Sequence, residues 1–282
     1  MSGYKCYLCG CAESKKRPGK VRDSASLEIR ECCSCGLVFL SSFEHIKKNF
    51  YQDSKMHAAP LDTAASCRAT RTDDLRRFHF LSAAIENREV LDFGCGNGGF
   101  LRKANKLAAR ADGLEIERGL KKHHKELGLN VSDSLTGLKG KYDLITAFHV
   151  IEHIADPVAK LKKLARLLKD SGEIIVEVPS SADAMLTLFQ SKAFSEFTYW
   201  SCHLYLFNSS TLGLLAQKAG LRVNYIKHIQ RYPVSNHLHW LSKGVPGGHQ
   251  KWSFLDSPEL HAAYEKQLAS LGATDTVVAS FS

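Results

Sequence analysis

The sequence predicts an α/β fold, a parallel sheet wound on both faces by helices, together with a small cysteine-rich module. Three observations predict it. Between residues 88 and 180 short apolar runs alternate with amphipathic helical segments, and connections of that length imply parallel strands joined by helices. One of the runs, VLDFGCGNGG (Val90–Gly99), ends in a glycine-rich turn that opens a helix. Two C-x-x-C pairs, Cys6/Cys9 and Cys32/Cys35, stand near the N-terminus.

The 282 residues are 44% hydrophobic and 24% charged, enough for one large domain with a normal core and a small module beside it. No run of about eighteen apolar residues is present, so no membrane partner is expected. The start, MSGYKCYLCG, lacks an apolar leader, and a cytoplasmic location is the expectation. A reducing compartment bears on the nine cysteines, because clustered cysteines there hold metal more often than they pair. The formal charge of +9 comes from basic residues spread along the chain, which reads as a lysine-rich surface before it reads as a nucleic-acid tract.

In order, residues 1–50 form the zinc-binding module, with a polar and flexible middle, AESKKRPGKVRDS. Residues 51–88 form a helical connector that offers Leu75, Phe78, Phe80, Leu81, Ala84 and Ile85 to one face. The large domain takes 89–282. Its strands are EVLDF, ADGLEI, LNVSD, YDLITAF and GEIIVEVP, and its helices are GGFLRKANKLAA, GLKKHHKEL and DPVAKLKKLARLLKD. Asp156 caps the last of these, with Pro157 in its first turn. Beyond Pro179 come an aromatic region, the helix SSTLGLLAQKAG and the strand LRVNYIKHIQ. Residues 233–268, rich in His, Trp and Gly, suit a lid or specificity segment ahead of the final strand, TDTVVASF.

Two C-x-x-C turns separated by 22 residues supply four thiolates, Cys6, Cys9, Cys32 and Cys35, to one tetrahedral Zn2+. Four protein ligands leave no open position, so the zinc is structural, a staple for a module with few apolar residues.

The glycine turn brings backbone N–H groups to a ligand, and its glycines allow close approach. Gly94, Gly96 and Gly99 also satisfy the dinucleotide pattern G-x-G-x-x-G, and Glu115, 21 positions after Gly94, can accept from both hydroxyls of a ribose. Those spacings fit either a dinucleotide or another adenosine cofactor.

VLDFGCGNGGF, DGLEIE, YDLITAFHVIEHIADP and LKDSGEIIVEVPS follow one another in an order that resembles the motifs of class I S-adenosylmethionine-dependent methyltransferases. The resemblance covers about residues 88 to 232 and implies a seven-stranded Rossmann-like methyltransferase sheet with S-adenosylmethionine as cofactor. It implies that Asp92 is the family's acidic cofactor-site position, that Gly94, Cys95, Gly96, Asn97 and Gly98 border the methionine moiety, and that Glu115 holds the ribose. Asp133 then flanks the adenine, and Phe148 and His149 line the pocket floor. CYLCG with ECCSCGLVFL is similar to the zinc module that precedes some methyltransferases linked to sugar methylation.

HVIEHIADP (His149–Pro157) contains H-x-x-E-H, a pattern that can mark a zinc peptidase helix. Here it follows a buried strand, and Pro157 restarts the chain, so a peptidase is not expected. Glu152 and His153 either act on a substrate or brace the loop; His203, in WSCHLYLF, is a second candidate base. The expected function is methylation of a small molecule, such as a nucleotide sugar or surface-glycan precursor, on oxygen or carbon. The alternatives are an RNA methyltransferase using its zinc module as a clamp, and a non-catalytic binding protein on the same scaffold.

Overall fold

The structure is a computed structural model and describes residues 5–53, 62–138 and 140–282. Strands β1 (Ser14–Lys16), β2 (Ile29–Cys32) and β3 (Val38–Leu40) come first. β1 lies inside the polar stretch expected to be flexible. Pairing decides its state: it runs antiparallel to β2, Ser14 opposite Cys32, and the adjoining Arg17 donates to Glu31 and to the Tyr199 hydroxyl.

Helix α1 (Thr63–Ile85) starts where the Asp62 carboxylate accepts the Ala65 N–H at 2.9 Å. Its buried stripe is Asp74, Arg77, Leu81 and Ile85, so two charged residues replace part of the apolar face read from sequence. The alternation then unfolds as β4 (Glu89–Phe93), α2 (Gly99–Ala104), β5 (Arg110–Leu114), α3 (Lys121–Glu126), β6 (Asn130–Ser132) and β7 (Tyr142–Phe148). After α4 (Pro157–Ala165) comes β8 (Leu168–Pro179), which begins earlier than GEIIVEVP because Leu168 and the polar residues after it are drawn into the strand.

The remaining elements are α5 (Ala184–Thr187), α6 (Lys192–Thr198), β9 (Tyr205–Leu206), α7 (Ser209–Ala219) and β10 (Val223–Ile229), then α8 (Val234–Lys243), α9 (Gly248–Lys251), α10 (Pro258–Ser270) and β11 (Thr276–Phe281). α7 is bounded by a reciprocal cap between Asn208 and Thr211 and by Gly220 at φ 75°. The segment read as a lid, 233–268, is thus largely helical.

Seven strands form one sheet in the order β10-β11-β8-β7-β4-β5-β6. β4 pairs in parallel with β5 and β7, and β5 with β6, the doubly wound arrangement expected from the sequence. Val90, Leu91, Leu144, Ile145 and Ala147 are buried at its centre, each large aliphatic side chain contributing roughly 1.5–3 kcal/mol. A second sheet has the order β1-β2-β3-β9. Contacts divide the chain into two compact units. One comprises Met1–Phe43, Glu152–Val158 and Glu177–Ala279; the other comprises Glu44–Ile151, Ala159–Val176 and Ser280–Ser282. No helix among the described residues is long and apolar enough to cross a membrane.

Candidate functional site

The glycine turn belongs to the unit built on β4, β5, β6 and β7. As β4 ends, the N–H groups of Gly94 and Cys95 both donate to the Leu114 carbonyl, which pins the start of the turn to the end of β5. Gly94 has φ 75°, and a Cβ there would sit 2.4 Å from Val150 Cγ2, so only glycine fits. Gly96 has φ 51° and faces open space: a Cβ on it meets nothing within 4 Å. That is the conformation expected of a residue that leaves room for a ligand. Cys95 is buried, and Gly113 across on β5 makes the space for its sulfur.

Glu115 follows β5 and turns both carboxylate oxygens to backbone amides. Oε2 accepts from Gly96 N–H at 2.9 Å and Oε1 from Glu117 N–H at 2.8 Å. Each oxygen has further acceptor capacity, so the carboxylate is fixed in orientation while still able to take a hydroxyl. Asp92 is buried at the end of β4 and accepts from the Thr146 hydroxyl at 2.7 Å. Burial pushes its carboxyl up to about 7, against the pull of the Thr146 bond and the Arg77 charge. Asp133 is exposed and paired with Lys121 at 2.7 Å. Phe148 packs edge-on to Phe100 with centroids 4.9 Å apart, and the Arg77 guanidinium lies 4.7 Å over its ring. His149 has φ 53°, a left-handed backbone that is uncommon outside glycine and places it at a sharp exit from β7.

Sequence reasoning placed Asn97 in this turn but missed the side chains that brace it. Asn97 donates to Ser66 at 2.9 Å and to Thr70 at 3.1 Å, both on α1, and its own Oδ1 accepts the Gly99 N–H at 2.9 Å. Thr70 donates in turn to Asp74 at 2.8 Å. From α3, buried His124 donates through Nε2 to the Gly96 carbonyl at 2.6 Å. The one available signal was the spacing of Ser66, Thr70 and Asp74, four apart on one helical face.

The other unit holds the four cysteines of the two C-x-x-C pairs. Cys6 and Cys35 sulfurs are 3.5 Å apart, those of Cys9 and Cys32 are 3.4 Å apart, and all four lie within 4.8 Å of one another. Tetrahedral zinc thiolates have an S···S edge of about 3.8 Å, so the cluster fits an ion of that kind. Burial opposes a Cys9 thiolate, but the Cys11 amide and the Cys32, Cys35 and Cys6 thiols outweigh it and bring Cys9 down to about 6. Burial pushes Cys35 and Cys6 up. Tyr7, between the first two cysteines, donates to the Asp156 carboxylate and accepts the Val158 N–H at 3.0 Å. The Val158 N–H at the start of α4 is therefore taken by a tyrosine hydroxyl that is itself bonded to the Asp156 side chain.

In the same unit Glu152, His153 and His203 come together, their ligand atoms within 4.8 Å of one another, although His203 lies 50 positions from His153. His153 Nδ1 donates to the Cys202 carbonyl at 2.8 Å, which leaves Nε2 as the nitrogen able to take a proton. Glu152, fully buried, has Oε1 4.0 Å from that Nε2. The two imidazole rings lie 4.9 Å apart, and Trp200 flanks both, 6.4 Å from His153 and 5.6 Å from His203. A trio of this kind can move a proton or hold a divalent cation. Residues 151–153 form a single 3₁₀ turn, not the long helix of a zinc peptidase.

The profile of a methyltransferase-domain family matches residues 66–226, more than half of the chain. Among curated proteins, the chain is 28% identical over 125 residues to a ubiquinone biosynthesis O-methyltransferase of Xanthomonas axonopodis pv. citri, covering 40% of this chain and 52% of that protein. It is 26% identical over 166 residues to the Coxiella burnetii protein of the same description, covering 54% and 71%. The chain thus spans about half the length of the first of these relatives. Among solved structures, a SAM-dependent methyltransferase from Archaeoglobus fulgidus superposes with TM-score 0.52 at 19% identity, covering 74% of this chain and 91% of that one, a likeness of fold.

Proposed function

The chain belongs to the class I S-adenosylmethionine-dependent methyltransferases, and from that premise we propose that it transfers a methyl group to a small-molecule acceptor. The observation that carries the reading is Glu115, held by the Gly96 and Glu117 amides beside an open glycine turn. The donor set matches an adenosine cofactor: a carboxylate for the ribose hydroxyls, and backbone with no obstructing side chain at Gly96. When bound, S-adenosylmethionine supplies an electrophilic methyl group.

The protein's own work is alignment and proton handling. Gly94, Cys95, Gly96, Asn97 and Gly98 border the methionine end in this reading, with Asp92 the acid at the cofactor site, Asp133 beside the adenine, and Phe148 and His149 on the floor. A hydroxyl acceptor must lose a proton, and His153 is the base we assign, oriented by the Cys202 carbonyl and stabilised as imidazolium by Glu152. His203 is the second candidate. Nucleotide sugars and glycan precursors are the acceptor class proposed, in keeping with the cysteine module, whose Cys6, Cys9, Cys32 and Cys35 we assign to a structural zinc.

The test combines calorimetry with labelled-methyl transfer. Gly96→Arg is expected to abolish binding of S-adenosylhomocysteine with little change in melting; unchanged affinity overturns the site. His153→Ala is expected to lower turnover about 100-fold or more while leaving that affinity intact. A loss on His203→Ala alone moves the base there, and no loss in either variant removes both. An acceptor panel of nucleotide sugars and RNA settles the substrate class, transfer to RNA alone overturning the small-molecule reading.

A further inference from the structure

Helix α8 is built inside out. Its buried side carries Ser235, Asn236, His237 and His239 along with Trp240. Each of these polar side chains is held within its own unit. The Ser235 hydroxyl donates to Asp256 at 2.6 Å, and Asn236 Oδ1 lies 3.3 Å from His249 Nδ1. His237 Nδ1 meets the Tyr264 hydroxyl at 2.6 Å, and His239 Nδ1 donates to the Val245 carbonyl at 2.9 Å. Trp240 packs against Phe194 and Phe197, with ring centroids 5.3 and 5.1 Å away. Together these contacts fix the rotation of the helix about its axis: turning its leucines inward breaks four polar contacts and withdraws the tryptophan.

The outward face is correspondingly apolar. Leu238 is 44% exposed and Leu241 47%, three apart on the helix, and Val245, just past the Gly244 C-cap, is 45% exposed. The turn that follows α9 adds Phe254, 79% exposed, and Leu255, 40% exposed. A helix facing only water has the reverse pattern, and an exposed apolar face of this kind marks an interaction surface. Between Val234 and Leu255 there is no Asp or Glu, whereas Lys243 and Lys251 are exposed. A second copy would set the same lysines and the same +9 against each other. An anionic lipid surface matches both the charge and the apolar face.

We propose that α8 and the turn through Leu255 form an interfacial membrane contact. Leu238, Leu241, Val245, Phe254 and Leu255 enter the acyl boundary of a bilayer bearing anionic headgroups, and Lys243 and Lys251 stay at headgroup level. This departs from the expectation of no membrane partner for a physical reason. Long apolar runs mark spanning segments, while apolar residues spread over a helix face and a following turn form no such run. The contact is independent of the methyl-transfer reading, since its readout is partition and not turnover.

The test is flotation of the 282-residue chain with phosphatidylcholine vesicles, with and without a quarter phosphatidylglycerol. Co-flotation is expected with the anionic vesicles at low salt, falling as salt is raised. Leu241→Ser/Phe254→Ser is expected to weaken partition about tenfold or more. Lys243→Gln and Lys251→Gln are each expected to weaken it about fivefold, on anionic vesicles only. All four substitutions fall on exposed side chains, so unchanged melting accompanies these results. No flotation, or flotation unaltered in the serine variant, overturns the proposal. So does a dimer in light scattering that Leu241→Ser dissociates in a chain that ignores vesicles.

Discussion

At the glycine turn, burial pushes Asp92 up to about 7 and a carboxyl is inclined to keep its proton; at the cysteine cluster, Cys9 is drawn down to about 6 and a thiol is inclined to release one. The first region is held in place by its neighbours. Its amides are taken by Leu114, its carbonyls by neighbours such as His124, and its carboxylates by Thr146, Gly96 and Glu117. In the second, four sulfurs face one another, linked in pairs at 3.5 and 3.4 Å by weak thiol hydrogen bonds. A turn held by these bonds is fixed before any ligand arrives, whereas the thiol cluster, on the proposal of a structural zinc, is finished by its cation.

The largest effect that tests this contrast is Cys6→Ser. Structural zinc contributes about 10 kcal/mol or more to modules of this size, comparable to the whole stability of a domain. Metal content measured by mass spectrometry should fall to background, with loss of the near-ultraviolet circular dichroism of the β1–β3 region. A variant with full metal content and unchanged melting would show the cluster to be as self-sufficient as the turn.

Next in size is the pH dependence of Asp92. Its folded pKa of about 7 lies above the ordinary 3.8, so between those values the folded chain holds a proton that the unfolded chain has lost. The contribution of Asp92 to stability is then greatest below about pH 4, declines as pH rises through that window, and levels off above about 7, a difference on the order of 4 kcal/mol. Asp92→Asn can still accept from Thr146 and should flatten the decline attributable to this residue. Denaturant titrations at pH 5 and pH 8 measure it; equal slopes for the two proteins would mean that Asp92 is ionised throughout.

Two glycines then separate fold from ligand. Gly94→Ala drives a Cβ into Val150 at φ 75° and should cost about 2–3 kcal/mol. Gly96→Ala, at φ 51° with open space around it, should cost about 1 kcal/mol, the price of the left-handed backbone alone. Equal losses in calorimetric melting would mean that the Gly96 space is filled.

What could be read beforehand follows the same division. Apolar runs marked β4, β7 and β11, and local spacing marked the turn and both C-x-x-C pairs, because each signal is complete within ten residues or so. The meeting of His153 with His203 was not legible, since it depends on how a loop after β7 and one before β9 fold together. Ser66, Thr70 and Asp74 were hidden for a related reason: polar residues on α1 look solvated until a partner, here Asn97, is placed against them. β1 escaped notice because a polar strand has no pattern of its own and exists through β2. The helices of 233–268 escaped because α8 buries its polar side and exposes its apolar one.

The smallest effect joins a single hydroxyl to the comparison. Tyr7 sits between Cys6 and Cys9, donates to Asp156 and accepts the Val158 N–H at 3.0 Å. Tyr7→Phe keeps the ring against Tyr205, whose centroid is 5.5 Å away, and removes only the two polar contacts. An orphaned helix N–H can turn to water where it is accessible, so the expected loss is about 1 kcal/mol, with metal content unchanged. If the cysteine cluster is finished by its ion, its backbone should not depend on this hydroxyl. A Tyr7→Phe chain that also loses its metal would instead show that the thiols are positioned by the start of α4, and the cluster would then share the turn's property of being held in place before its ligand arrives.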